Sequence, residues 1–228
     1  MKLTFLGHAA FQLEADGHSV LVDPFLSGNP TASKSADTIA AETIILTHAH
    51  GDHVGDTIDI AKRTGATVIA TVELATWLSR QGVENTVGAN FGGTVALPGG
   101  TTKFVPAWHT SSFTTEDGFE APGVPAGHVV RFGGKTIYFA GDTCLFSDMQ
   151  LIADETLDVA VIPIGDHFTM GPADALKAVK FLRAGVVVPC HYDTFPPIKQ
   201  DPAQFKRDVE SETASRCAVL RPGETLDV

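Results

Sequence analysis

The sequence predicts an α/β protein of four layers, an αββα sandwich in which two sheets pack face to face with helices on both outer sides. Three observations lead there. Strand-like stretches open both halves of the chain, each opening gives way to alternating strands and helices, and 228 residues at 43% hydrophobic content supply a full core. Residues 2–5, 11–14 and 19–22 read as short strands, with Asp16-Gly17 as the clearest hairpin turn. The run Glu42-Thr43-Ile44-Ile45-Leu46-Thr47 reads as a buried strand. Asp52-His53 open a helix-like stretch around Gly55 to Arg63, with its helix over 58–63, which leads to a strand over 67–71 and a helix over 72–81. Residues 103–108, 129–132 and 136–141 are strand-like. They are followed by a helix over 146–154, a strand over 157–162, a helix over 173–182, a strand over 186–190, a helix over 204–212 and a strand over 217–220. No short-period repeat, charge run or low-complexity linker divides the chain, so residues 1–228 are expected to form a single domain.

Composition excludes several classes of function. A net charge of −11, with sixteen Lys and Arg scattered and no basic stripe, argues against a nucleic-acid partner. No apolar run approaches the roughly 18 residues of a membrane span, so no membrane partner is expected. Three cysteines, an odd number, do not make a disulfide framework, and the opening residues meet His8, Gln12 and Glu14 too early for a signal peptide. A cytoplasmic location is the expectation.

The chemistry concentrates in Thr47-His48-Ala49-His50-Gly51-Asp52-His53. Three imidazoles and a carboxylate within six residues suit zinc, manganese or iron(II). On an extended backbone His48 and His50, two apart, emerge on the same side and grip one ion. Gly51 lets the chain turn, after which Asp52 and His53 face a neighbouring position, that of a second ion. A histidine-rich solvated turn is the plain alternative, but the position of the motif between an apolar strand and a helix favours the metal site. Four residues cannot complete two coordination shells. His109, Asp142 and His191 each follow a strand-like run, where functional side chains gather on rigid supports.

With those residues in order, the chain resembles the metallo-β-lactamase superfamily. More narrowly, Leu6-Gly7-His8-Ala9-Ala10-Phe11, Val22-Asp23-Pro24-Phe25 and Pro163-Ile164-Gly165 with Thr169-Met170-Gly171-Pro172 are similar to a branch of metal-dependent hydrolases related to ascorbate-phosphate lactonases. The resemblance implies the four-layer metallo-β-lactamase-like fold. It also implies His48, His50 and His109 on one divalent metal, Asp52, His53 and His191 on the other, and Asp142 between them. Zinc or manganese is the expected pair, with iron or nickel as alternatives. Activity follows as an expectation: a metal-bridging hydroxide attacking an ester-like, lactone or phosphoester bond in a small molecule, an anionic one included. Two other readings stand beside it, a phosphodiesterase acting on a nucleotide or phospholipid-like substrate and a non-catalytic metal or ligand sensor. His50 in place of Glu argues against a flavodiiron relative, and Asp52 with Asp142, where secreted antibiotic-degrading members tend to use cysteine, argues against penicillin hydrolysis. The resemblance also allows a homo-oligomer.

Several further residues carry expectations. Asp52 is assigned a catalytic role besides ligation. His8, at the first hairpin, is expected to contact substrate or donate a proton, and His167 to face the same pocket. Asp23 looks like the family's acidic residue that orients ligands, against a loop-capping turn. His18 and His128 are expected to be solvated or structural, and Cys144 and Cys190 to be small buried residues rather than ligands. Residues 110–127, rich in Thr, Gly and Pro, read either as a mobile lid or as a surface excursion. Tyr192, Phe195, Pro196 and Pro197 are expected to wall the pocket opposite.

Overall fold

A computed structural model describes all 228 residues. In chain order its elements are β1 (Lys2–Gly7), β2 (Ala10–Ala15), β3 (His18–Val22), β4 (Thr43–Ile45), α1 (Gly51–Val54), α2 (Thr57–Thr64), β5 (Thr67–Thr71), α3 (Val72–Arg80), β6 (Thr86–Ala89), β7 (Thr94–Leu97) and β8 (Gly100–Pro106). They continue with β9 (Phe113–Thr115), β10 (Gly118–Glu120), β11 (Ala126–Phe132), β12 (Lys135–Phe139), α4 (Met149–Ile152), β13 (Val159–Pro163), α5 (Pro172–Leu182), β14 (Val186–Cys190), α6 (Pro202–Glu212), β15 (Arg216–Cys217) and β16 (Thr225–Asp227). One seven-stranded sheet runs β16-β1-β2-β3-β4-β5-β6 and the other β15-β14-β13-β12-β11-β8-β7, while β9 and β10 form a separate hairpin.

The side-chain period of a strand explains why two sheets and four layers follow. Val20 and Val22 join the apolar layer between the sheets, and Leu21 between them joins the outer layer beneath α2 and α3. In the second sheet Val159 and Val161 face inward, and Ala160 and Ile162 meet α4, α5 and α6. Strands buried on both faces read as continuous apolar runs, which is what these stretches show. Phe11 and Phe104 are fully buried in the shared layer, each contributing about 1.5–3 kcal/mol through burial.

Several boundaries differ from the sequence expectation. The helix expected over 146–154 is a single turn, α4, running into a 3-10 turn over Ala153–Glu155, because only Met149 and Ile152 are buried. The last expected strand pairs only at Arg216 and Cys217, where the ladder with β14 ends. The helical stretch after Asp52 is split at Gly55, which has φ 43°. A Cβ there would lie 2.6 Å from the Pro24 oxygen, so glycine alone lets α1 seat against the 23–25 loop. Strands β6, β7 and β16, and the β9–β10 hairpin, escaped the sequence reading.

The topology gathers the loops of interest at one end. β3 to β6 are mutually parallel, as are β12 to β15. Their carboxyl ends carry Asp23, His48, Asp142 and His191 to one edge of the sandwich, where ligands meet open α/β sheets. Two backbone bonds tie the sheets together there, Ala126 N–H to the Thr47 carbonyl (2.9 Å) and His191 N–H to the His8 carbonyl (2.8 Å).

Candidate metal centre

Two donor clusters meet at this edge. In the first, His48 Nε2 lies 3.0 Å from His50 Nδ1, and Asp142 Oδ2 lies 3.9 Å from His48 Nε2 and 3.5 Å from His109 Nε2. In the second, Asp52 Oδ2 lies 3.8 Å from His191 Nε2, grouped with His53 and His8. Asp142 reaches across, with Oδ1 3.3 Å from His53 Nε2 and Oδ2 3.2 Å from His191 Nε2. Donor atoms set about 2.1 Å from a shared cation in a tetrahedral arrangement stand about 3.4 Å apart, so these spacings suit ligation. Gly141 makes the approach of Asp142 feasible: it has φ 61°, and a Cβ there would lie 2.8 Å from the Thr47 Cβ.

The donor set also asks for cations. Asp23, Asp52 and Asp142 have imidazoles, the Thr47 hydroxyl and one backbone N–H for partners, and no Lys or Arg forms an ion pair with any of them. Buried carboxylates of this kind are costly without positive charge. His53 Nε2 is buried with no hydrogen-bond partner, an orphaned position that a cation would fill. The residues therefore fit two divalent ions.

Titration behaviour points the same way. Burial pushes His48, His50 and His109 below their usual range, so the first cluster presents neutral imidazoles. Burial also pushes His53 down, but Asp142 and then Asp23 overrule it and raise it well above its usual value; the field favours a positive charge at this point. Asp142 is held well below the usual carboxylate range, because His191 and His53 outweigh burial. Asp52 is lowered too, its burial outweighed by the hydrogen bond from His8 and the charge of His53.

Asp23 orients ligands on both sides. It sits in the left-handed region (φ 45°) at the end of β3, and its Oδ1 accepts from Thr47 N–H at 2.9 Å. Oδ2 accepts from the Thr47 hydroxyl at 2.6 Å and from His53 Nδ1–H at 2.8 Å. A hydroxyl that donates to a carboxylate is left to accept, so the contact of 3.0 Å between Thr47 Oγ1 and His48 Nδ1 places a proton on that nitrogen. Both His53 and His48 are thereby left with Nε2 as the free donor.

His8, expected from the sequence to contact substrate or donate a proton, does not line the cleft. Its side chain is fully buried, with Nδ1 2.8 Å from Thr194 Oγ1 and Nε2 3.1 Å from Asp52 Oδ2. Burial lowers its pKa to about 4, so it acts as a neutral donor that fixes Asp52. His167, expected to face the same pocket, does not line the cleft either. It is exposed and stands edge-on to Phe168, and Phe168 lines the cleft in its place, because successive positive φ values at Asp166 (60°) and His167 (39°) turn the chain between them. Sequence reading missed Phe168 because an isolated aromatic residue in a loop carries no periodic signal.

The cleft measures about 370 Å³ and is lined by His50, Asp52, His109, Thr110, Asp142, Phe168 and His191. Neither Tyr192 nor Phe195 walls it: Tyr192 packs under the outer helices, and the Phe195 ring lies 5.6 Å from that of His8, which screens the cleft from this side. Pro196 and Pro197 belong to a 3-10 turn beyond. Of the 110–127 segment, Thr110 lines the cleft and the Ser111 hydroxyl accepts from Ala49 N–H (3.0 Å). The hairpin beyond is anchored away from the cleft lining by Phe113, stacked on Trp77 at 4.1 Å. Cys144 is exposed rather than buried, since Thr143 takes the inward position of this turn. Cys190 is buried, and burial pushes its thiol well above the usual range, away from a ligating thiolate. His128 is buried between Thr102 Oγ1 (3.0 Å) and the Leu46 carbonyl (3.2 Å), whereas His18 pairs with Glu42 at the surface (2.8 Å).

Comparison with known proteins agrees with this geometry. A family model described as a beta-lactamase superfamily domain matches residues 18–192. The chain is 51% identical over 230 residues to a UPF0173 metal-dependent hydrolase of Geobacillus thermodenitrificans and 48% identical over 229 residues to one of Methanopyrus kandleri, in both cases over 100% of either chain. Among solved structures, Igni18, a metallo hydrolase of Ignicoccus hospitalis, superposes with a TM-score of 0.89 at 41% identity, covering 99% of this chain and 97% of that one. By sequence family, by fold and by the likeness of whole chains, the protein belongs to the UPF0173 metal-dependent hydrolase family of the metallo-β-lactamase superfamily.

Proposed function

We propose that the protein is a hydrolase acting with two divalent cations, zinc or manganese, on a small molecule with an ester-like or lactone bond. One observation carries the reading: two donor clusters share Asp142 at the floor of a cleft wide enough for a small substrate. His48, His50 and His109 would hold one ion and Asp52, His53 and His191 the other. Two such ions supply Lewis acidity, bringing the pKa of water toward about 7 and stabilising negative charge on the oxygens of the bond under attack.

The protein's own groups arrange that chemistry. Asp142 sets the separation of the clusters, and Asp23 keeps His48 and His53 in the tautomer that ligates. His8 ties one oxygen of Asp52. The other oxygen has no protein hydrogen bond, and the side chain is 30% exposed to the cleft, placed to accept a proton from an attacking water. No serine or cysteine lines the cleft, and in this reading water is the nucleophile.

The test measures metal content and turnover together. Protein purified without chelator is analysed for metals and assayed on lactone, phosphodiester and thioester panels with and without added manganese or zinc. Near two metals per chain with metal-dependent lactone or ester hydrolysis supports the proposal. Preferential phosphodiester cleavage replaces it with the phosphodiesterase reading, and bound metal without turnover of any panel member favours a sensor.

A further inference from the structure

The wall of the cleft contains a loop with two adjacent unfavourable backbone conformations. Asp166 and His167 are consecutive non-glycine residues with φ 60° and 39°, a region that side-chain-bearing residues avoid and that persists where surrounding structure enforces it. The enforcing bonds are Asp166 N–H to the Met170 carbonyl (3.0 Å), Thr169 N–H to the Asp166 carbonyl (2.8 Å) and Met170 N–H to the Thr143 carbonyl (3.1 Å). Thr143 directly follows Asp142. Its hydroxyl also accepts from Trp108 N–H at 3.0 Å, which braces the residue before His109. One residue beside the shared carboxylate thus holds two segments, each presenting an aromatic ring to solvent: Phe168 is 54% exposed and Trp108 64% exposed.

Phe168 is the one apolar residue among those lining the cleft, and no Lys or Arg is among them. Away from the two ions, a phosphate or carboxylate carried on a substrate beyond the reacting bond would meet imidazoles, carboxylates, the Thr110 hydroxyl and a phenyl ring, with no Lys or Arg to pair with it. An aryl or branched alkyl group would remove the exposed face of Phe168 from water.

Resting on the hydrolase reading, we propose that the site selects neutral substrates in which an apolar substituent packs on Phe168 while the scissile acyl bond lies over the donor clusters. In that hydrolysis the water oxygen bonds to the acyl carbon as the carbon–oxygen bond breaks. One water proton ends on the leaving oxygen, and the other is released on ionisation of the acid.

The experiment compares three substrates with one scissile bond, γ-butyrolactone and its α-benzyl and α-phosphomethyl derivatives, on full-length protein loaded with manganese or zinc. Wild type is expected to favour the benzyl compound over the unsubstituted lactone by roughly tenfold or more in kcat/KM. Phe168→Ala should bring that ratio within about threefold and Phe168→Leu to an intermediate value. Leu151→Ala, which removes an exposed apolar side chain on α4 outside the cleft, should keep the wild-type ratio. Preference for the phosphomethyl compound, or an unchanged ratio in Phe168→Ala, overturns the proposal. Calorimetric binding of the matching non-hydrolysable lactams supplies a readout independent of turnover. If no lactone is hydrolysed but the benzyl lactam binds best and loses this advantage in Phe168→Ala, the lactone-hydrolase reading fails and the apolar selectivity stands. If the lactams bind without preference, the selectivity is overturned whatever the turnover.

Discussion

Replacing Asp23 with Asn changes one atom at the point where the two clusters are held in their ligating tautomers. The carboxylate serves three buried donors, Thr47 N–H, the Thr47 hydroxyl and His53 Nδ1–H, at 2.9, 2.6 and 2.8 Å. An amide has one accepting oxygen, so whichever way it lies, its NH2 faces at least one of these donors. With the oxygen toward Thr47 N–H, the amide NH2 drives His53 toward the tautomer protonated on Nε2. It also turns the Thr47 hydroxyl toward donating to His48 Nδ1, which reverses that ring as well. With the opposite orientation the rings keep their tautomers, but Thr47 N–H loses its acceptor, and the negative charge that supports imidazole basicity is gone in either case. Loss of such an orienting partner weakens metal binding by about 10- to 100-fold, or about 1.4–2.7 kcal/mol. The unsatisfied donor costs the fold about 1–3 kcal/mol. Competition against a chromophoric chelator reads the affinity of each ion, and urea unfolding with excess chelator reads the fold cost apart from the metal. Affinities for both ions within threefold of wild type, with an unchanged unfolding midpoint, would refute the relay from Asp23 through Thr47 to His48.

Other perturbations follow from the same geometry. His8→Ala frees Asp52 and should weaken the second ion more than the first, by about tenfold, seen as a split between two titration steps; equal loss at both sites would assign His8 a general structural role. His128, which is in neither donor cluster, has its pKa lowered by burial from 6.5 to about 4. The unfolded chain therefore takes up this proton first as pH falls, so the contribution of His128 is intact above about pH 6.5 and is lost toward pH 4, amounting to about 3 kcal/mol. Urea midpoints of His128→Gln should fall less steeply than those of wild type across that window, and parallel slopes would contradict the assignment. Chelation should lower the unfolding temperature, since an ion held at 100 times its Kd stabilises the native state by about 2.7 kcal/mol; a thermal midpoint unchanged by chelator would place the ions elsewhere or nowhere.

Much of the architecture is legible in the sequence. Apolar runs such as Val159–Pro163 are long enough, and continuous enough, to demand burial on both faces, and that local property implies helices outside two stacked sheets. The β6 and β7 strands were not legible, because they are half-exposed and paired at or near sheet edges, where pattern is weak. The helix after Asp52 was read as continuous because nothing local distinguishes Gly55 from any helix glycine; its reason is the Pro24 carbonyl, 31 residues earlier in the chain.

By itself the sequence determined the chemical inventory: a dense run of histidine and aspartate at a strand end, further donors after three later strands, and no basic stripe. Their types and positions are local properties, open to inspection along the chain. The tertiary structure alone decided which groups share a centre and which way each one faces. It buried His8 behind Asp52, turned His167 outward, exposed Cys144 and set Phe168 in the cleft wall. These outcomes depend on backbone torsions and on hydrogen bonds spanning 44 residues from His8 to Asp52 and 186 from His8 to Thr194, distances over which no pattern along the chain carries direction.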